Sequence, residues 1–307
     1  MTEGSWRLNA DTTVRDPFAG IGHEPGVAKP DAILVCDSIS RAFGGLKAVD
    51  VEHLEVQRGA ITALIGPNGA GKTTFFNLIS GFDTPDTGTW TFNGDDLGGV
   101  RSHLITRRGM VRTFQLTKAL ARLTVIDNMR LGATGQTGES LLRALISPLW
   151  NGQERDITER ADVLLERFNL MRVRNDFAGE LSGGQRKLLE MARALMSQPE
   201  MVLLDEPTAG VNPALKQSLL EHVREVLEEG TTVMFVEHDM DMVRDISDWV
   251  VVMGEGSVIA EGTHQTIGRN STVIDAYLGM HHDQPLTAEE EQATLEAADE
   301  AIGGESA

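Results

Sequence analysis

The sequence predicts an α/β fold with a parallel sheet at its centre, on three observations. Continuous apolar runs, Thr62-Ala63-Leu64-Ile65, Met201-Val202-Leu203-Leu204 and Thr232 to Val236, read as strands buried on both faces. Segments with apolar residues at three- and four-residue steps lie between them, and strands alternating with helices indicate a parallel sheet. The first run leads into Gly66-Pro67-Asn68-Gly69-Ala70-Gly71-Lys72-Thr73, which fits the P-loop pattern G-x-x-x-x-G-K-[ST] at every fixed position.

Along the chain, residues 1–31 are polar, with Pro17, Pro25 and Pro30, and read as a flexible leader. Ile33 to Cys36 and Ala48 to Val56 read as strands, bounded by Gly44-Gly45 and by Gly59. Gly88 to Asn93 adds another, with Trp90 and Phe92 in alternation; together these predict an antiparallel sheet beside the core. Residues 97–179 carry Leu, Arg and Glu at helical spacings, interrupted by a loop from Gly132 to Gly138. Ser182 to Ser197 reads as a helix, with Leu188, Leu189, Ala192, Leu195 and Met196 at helical steps. A second helix is expected over 213–229, and Trp249 to Met253 and Val258-Ile259 add short strands. Residues 281–307 hold eight acids and no Lys or Arg. They read as a solvated acidic tail, or alternatively a docking or regulatory one, and Thr287-x-x-Glu290 is a capping-box pattern.

Composition bounds the partners. The chain has 307 residues, 46 acids and 27 bases, a formal net charge of −19. Such a chain is a poor general binder of nucleic acid, whose phosphates call for Lys and Arg. The lone Cys36 excludes an intrachain disulfide and a Cys-rich metal site, and reads as a small buried strand residue. No apolar run approaches the length of a membrane span, and no basic start followed by an apolar block suggests a secretory signal. A cytosolic location is expected, with any membrane contact made through a partner.

The P-loop carries a physical mechanism. Glycines let the backbone curl so that successive N–H groups point inward around an anion. The helix starting near Gly71 adds free N–H donors and the positive end of its dipole. Lys72 supplies an ammonium for β- and γ-phosphates, the Thr73 hydroxyl suits Mg²⁺, and Thr74 joins the nucleotide-binding set.

The second apolar run ends at Leu203-Leu204-Asp205-Glu206, where a strand end beneath a P-loop can present an acid to Mg²⁺. The second acid could polarise an attacking water. Taken alone, Asp-Glu at a strand end is an ordinary turn. His238, in Val236-Glu237-His238-Asp239, follows another strand and could hydrogen-bond a γ-phosphate; alone, such a His is more often structural. A further segment, Leu181-Ser182-Gly183-Gly184-Gln185, opens a helix with small residues, which allows close backbone approach to an anion.

The P-loop together with Leu181-Ser182-Gly183-Gly184-Gln185 resembles the ATP-binding subunits of ABC transporters, over about residues 32–280. The resemblance implies a P-loop NTPase core with a parallel sheet, an antiparallel β subdomain and an α-helical signature subdomain over about 97–198. It implies ATP and Mg²⁺ as ligands, Asp205 as the Walker B acid and Glu206 as the catalytic base. It makes His238, 32 residues past Glu206, the switch histidine. Gln115, in Val111-Arg112-Thr113-Phe114-Gln115, matches the glutamine that touches Mg²⁺ and the attacking water, and Phe43 the aromatic that stacks on adenine. Ser182 and Gly184 are implied to contact the γ-phosphate held by a second ATP-binding subunit. Asn212 stands in the D-loop where many members have Asp.

Within the family the likeness is nearest to the larger ATPase subunit of branched-chain (hydrophobic) amino-acid importers. It rests on Arg41-Ala42-Phe43-Gly44-Gly45-Leu46, Val111 to Gln115, the insertion 132–156, Glu237 to Met240 and Val273 to Gly279. Urea-type and lipopolysaccharide-type transporters share several of these features, and a soluble non-transport ABC protein is the remaining alternative. The implied partners are two membrane permease subunits and, indirectly, an extracytoplasmic substrate-binding protein, at the cytoplasmic face of the membrane. The region 116–150 is expected to dock the permease, with Leu116, Leu120 and Leu123 on its apolar floor and Lys118 and Arg122 at its rim.

Overall fold

The computed structural model describes residues 17–113, 120–134 and 151–278. Gln115, Leu116, Lys118, the later part of the 132–138 loop and the tail with its Thr287 capping box lie outside them.

Two sheets form the frame. β1 (Ala32–Phe43), β2 (Leu46–Gln57), β4 (Thr87–Phe92) and the short β5 (Asp95–Asp96) make an antiparallel sheet in the order β2-β1-β4-β5. β3 (Ile61–Ile65), β6 (Met110–Arg112), β7 (Met201–Asp205), β8 (Thr232–Val236), β9 (Trp249–Gly254) and β10 (Ser257–Gly262) make a second sheet in the order β10-β9-β3-β8-β7-β6. Within it β9, β3, β8, β7 and β6 run parallel, and β10 folds back antiparallel on β9. Every residue of β3, β8 and β9 is buried, which is why their sequences run apolar without alternation.

The pleat of β3 divides the core. Ile61, Ala63 and Ile65 point into a cluster with helical residues such as Leu189, Met191 and Phe168. Leu64 points the other way, into a cluster with Phe75, Phe76, Leu34 and Trp90. The helices are α1 (Lys72–Ile79), α2 (Ser102–Arg107), α3 (Val125–Gly132), α4 (Asn151–Arg167), α5 (Gly183–Leu195), α6 (Pro213–Glu228), α7 (Met240–Ile246), α8 (His264–Ile267) and α9 (Ser271–Leu278). Caps set several starts: Thr124 accepts from Asp127 N, Asn212 from Leu215 N and Asp239 from Met242 N. Asn212 therefore does for α6 what Asp would do, because either side chain offers an oxygen to the first turn.

Two expectations need correcting. The stretch 97–113 is not simply helical, since β6 within it pairs with β7 and belongs to the parallel core. Residues 17–31 are not a free leader. Phe18 stacks on Trp249 with ring centroids 4.6 Å apart, and Lys29 Nζ lies 2.8 Å from Glu261 Oε2 with both side chains almost fully buried. Glu261 also accepts from Val27 N and Trp249 Nε1, so its charge is paired and its lone pairs are used. Cys36 is buried in β1 as expected, and burial, with the charge of Asp37, pushes its thiol pKa up and away from reactivity.

Candidate active site

The phosphate loop leaves β3 at Ile65 and enters α1 at Lys72. Two of its glycines are dictated by space as well as by conformation. Gly66 has φ 146°, and a Cβ there would sit 2.1 Å from Met253 O. Gly71 has φ 94°, and its Cβ would meet Ala48 O at 2.2 Å. Lys72 is buried and arches back over the loop, donating to Gly66 O at 2.6 Å and Pro67 O at 2.9 Å. Burial lowers its pKa, and the carboxylate of Glu206 pulls the other way.

A cleft of about 250 Å³ opens over this loop, lined by Asn68 to Thr74, Ala48, Glu206 and His238. The last two come from neighbouring strand ends. β7 and β8 are parallel with Asp205 opposite Val236, and Glu206 N donates to Val236 O at 3.0 Å. Glu206 takes φ 45°, a conformation uncommon for a residue with a side chain. Lys187 Nζ donates to its carbonyl at 3.1 Å, and its carboxylate Oε1 lies 3.1 Å from His238 Nε2.

Between them lies a residue the sequence reading gave no role. Glu237 is buried, and its carboxylate accepts from Thr208 N at 2.9 Å, Thr208 Oγ1 at 2.5 Å and His238 N at 3.0 Å. It ties the segment after Glu206 to the segment bearing His238. Its neighbour His238 was the visible signal; its side-chain partner Thr208 lies 29 residues away and leaves no local trace.

Asp205 is half-buried and is not one of the cleft-lining residues; its Oδ2 accepts from Arg112 Nη2 at 2.6 Å. Among the described residues no group of three or more His, Cys, Asp or Glu could hold a metal ion. Thr73 and Asp205 offer a hydroxyl and a carboxylate, hard oxygens of the type that suit Mg²⁺, which completes its shell with water and phosphate rather than a protein cage. The donor set fits that ion. Gln115 lies outside the described residues.

Phe43 ends β1 beside the Gly44-Gly45 turn, 49% exposed, with the Arg41 guanidinium 4.9 Å from its ring centroid. Arg41 is itself fixed by Asp83 and Asp86. An exposed, oriented aromatic suits stacking on a planar base.

Ser182 caps α5. Its Oγ accepts from Gln185 N at 3.3 Å and its own N donates to Gln185 Oε1 at 3.0 Å, a reciprocal capping box. Gln185 is thereby engaged in its own helix. Ser182 and Gly183 are exposed, whereas Gly184 is buried and a Cβ on it would meet Leu215 Cδ1 at 2.4 Å. The missing side chain of Gly184 thus lets α5 lie close against Leu215 of α6. None of Ser182 to Gln185 lines the cleft over the P-loop.

A phosphate cradle at the end of a parallel sheet, with Glu206 and His238 from neighbouring strand ends beside it, defines a nucleotide-hydrolysing cassette of the P-loop class. The family model described as ABC transporter matches residues 49–209, over half of the chain, and the chain belongs to that family. It is 42% identical over 252 residues to a probable branched-chain amino acid transport ATP-binding protein of Archaeoglobus fulgidus, covering 82% of this chain and 97% of that one. It is 39% identical to a high-affinity branched-chain amino acid transport ATP-binding protein of Pseudomonas aeruginosa, covering 80% of this chain and 98% of that one. Among solved structures it is similar to a nucleotide-free ATP-binding cassette from an ABC transporter, with TM-score 0.71, 37% identity and coverage of 80% and 98%. It is also similar to the ADP conformation of an ATP-binding cassette of an ABC transporter, with TM-score 0.70, 36% identity and coverage of 81% and 99%.

Proposed function

We propose that this chain is the ATP-hydrolysing motor subunit of an importer for branched-chain or other hydrophobic amino acids, working as a dimer that closes on ATP. The substrate class rests on the names of the relatives. The dimer rests on one observation: the exposed Ser182-Gly183 helix start is absent from the P-loop cleft of its own chain. A helix N-terminus of that kind suits a phosphate presented by another subunit.

In this reading the loop N–H groups and Lys72 hold the β- and γ-phosphates, and Phe43 stacks on adenine. Thr73, Asp205 and Gln115 hold Mg²⁺, which when bound neutralises phosphate charge. Glu206 draws the proton of the attacking water, and His238 steadies the Glu206 carboxylate and reaches the γ-phosphate.

The names of the relatives, ATP-binding proteins of transport systems, support delivery of the work to separate permease subunits at the cytoplasmic face; among the described residues no helix is long and apolar enough to cross a membrane. A groove of about 440 Å³ beside β6, lined by Leu120, Leu131, Val111, Arg107 and Glu190 but not by Leu123 or Arg122, supports docking on this face.

The test is the mass of the Glu206→Gln protein in solution with Mg²⁺ and ATP. It should be that of a dimer, and adding Ser182→Arg should return it to a monomer. A monomer in both, in the presence of the permease, sinks the sandwich.

A further inference from the structure

Arg112 is the last residue of β6, and its side chain is 6% exposed. Nη2 donates to Asp205 Oδ2 at 2.6 Å, while Nη1 donates to Asn77 Oδ1 at 2.7 Å and reaches Ser80 Oγ at 3.3 Å. The guanidinium also lies 5.6 Å from the ring centroid of Phe76. Asn77 and Phe76 belong to α1, the helix that begins with Lys72 and Thr73. One buried fork therefore joins the helix carrying two phosphate-loop residues to the strand carrying Asp205. Gln115 follows three residues later.

We infer that Arg112 is a positioning residue that orients the Asp205 carboxylate for the metal of the bound nucleotide. The inference rests on the Mg²⁺·ATP reading above. A carboxylate held on one oxygen by a fixed guanidinium is restricted in rotamer and keeps its other oxygen for a second partner. The planar fork allows this, because one guanidinium can hold Asp205 and α1 together, as a single ammonium cannot with the same geometry. Partners behind a metal-binding group commonly govern metal affinity as much as geometry does.

The experiment titrates full-length protein, with a non-hydrolysable ATP analogue bound, with Mn²⁺ read by electron paramagnetic resonance. Analogue binding without metal is measured alongside. Arg112→Met should leave metal-free analogue affinity within about twofold and raise the Mn²⁺ dissociation constant about tenfold. Arg112→Lys, which restores a donor to Asp205, should recover part of that loss, with a rise of about threefold. Should Arg112→Met not fold, Arg112→Lys carries the same comparison. A variant with a lowered melting temperature but wild-type Mn²⁺ affinity would show a merely structural role and overturn the inference, as would tighter Mn²⁺ binding. A wild-type protein that holds no Mn²⁺ beyond that on free nucleotide would overturn the Mg²⁺·ATP reading itself, and the inference with it.

Discussion

Glu206 Oε1 and His238 Nε2 lie 3.1 Å apart although 32 residues separate them in the chain. Parallel pairing of β7 with β8 brings the two strand ends level, and the Glu206 N to Val236 O bond closes the register one step further. If Glu206 is the base, Glu206→Gln should cut single-turnover hydrolysis of ATP by about a hundredfold or more while nucleotide affinity changes little. His238→Ala should also slow the chemical step, by less. Wild-type turnover in Glu206→Gln would remove Glu206 from the chemistry.

Glu237 is the buried hinge pin of this arrangement. Replacing it by Ala strands the Thr208 and His238 N–H groups, and the expected cost is about 3 kcal/mol or more. Glu237→Gln should cost less, since its one carbonyl can still serve Thr208. Its amide would face His238 N, donor against donor, so turnover should fall more than stability does. Urea unfolding and turnover measured on both variants decide this; equal losses of the two would contradict it.

The segment 17–31 should behave as part of the fold. Deleting residues 1–31 should lower the unfolding midpoint, by uncovering Trp249 and leaving Glu261 buried without Lys29. Lys29→Ala alone should cost about 3–5 kcal/mol, the scale for a buried charge that loses its partner. A small cost in urea titration would mean that Glu261 finds water in place of Lys29.

His53 supplies a pH signature. Burial alone would lower its pKa, but hydrogen bonds to Asp37 at 2.6 Å and Glu55 at 3.1 Å outweigh that and raise it above the ordinary 6.5. A raised folded-state pKa contributes stability that is fully present below 6.5 and is lost as pH rises through the raised value. Because the ring is partly exposed, the contribution is about 1 kcal/mol or less. His53→Gln should therefore cost stability at about pH 5.5 and almost none at about pH 9. An equal cost at both, by urea unfolding, would assign His53 a packing role only.

Much of the candidate site is legible locally. The P-loop glycines are visible because the turn needs backbone conformations that side chains resist. The buried strands are visible because both their faces must be apolar. Ser182 and Gln185 are visible as a helix start because a cap needs an oxygen there and a return partner three residues on. Strand β6 escapes notice because Met110-Val111-Arg112 is too short to carry a period. The leader misleads because its polar composition hides Phe18 and Lys29, each satisfied by a partner more than two hundred residues away.

Conformations that depend on a residue and its near neighbours follow from local composition: the phosphate loop, the caps and the apolar runs that must lie inside. Which charges meet is set by how distant segments pack. Arg112 with Asp205, Glu237 with Thr208 and Lys29 with Glu261 are pairings between distant segments. A buried charge can be satisfied by any complementary group that the packing brings within reach, and that choice is made by strand order and register rather than by spacing along the chain.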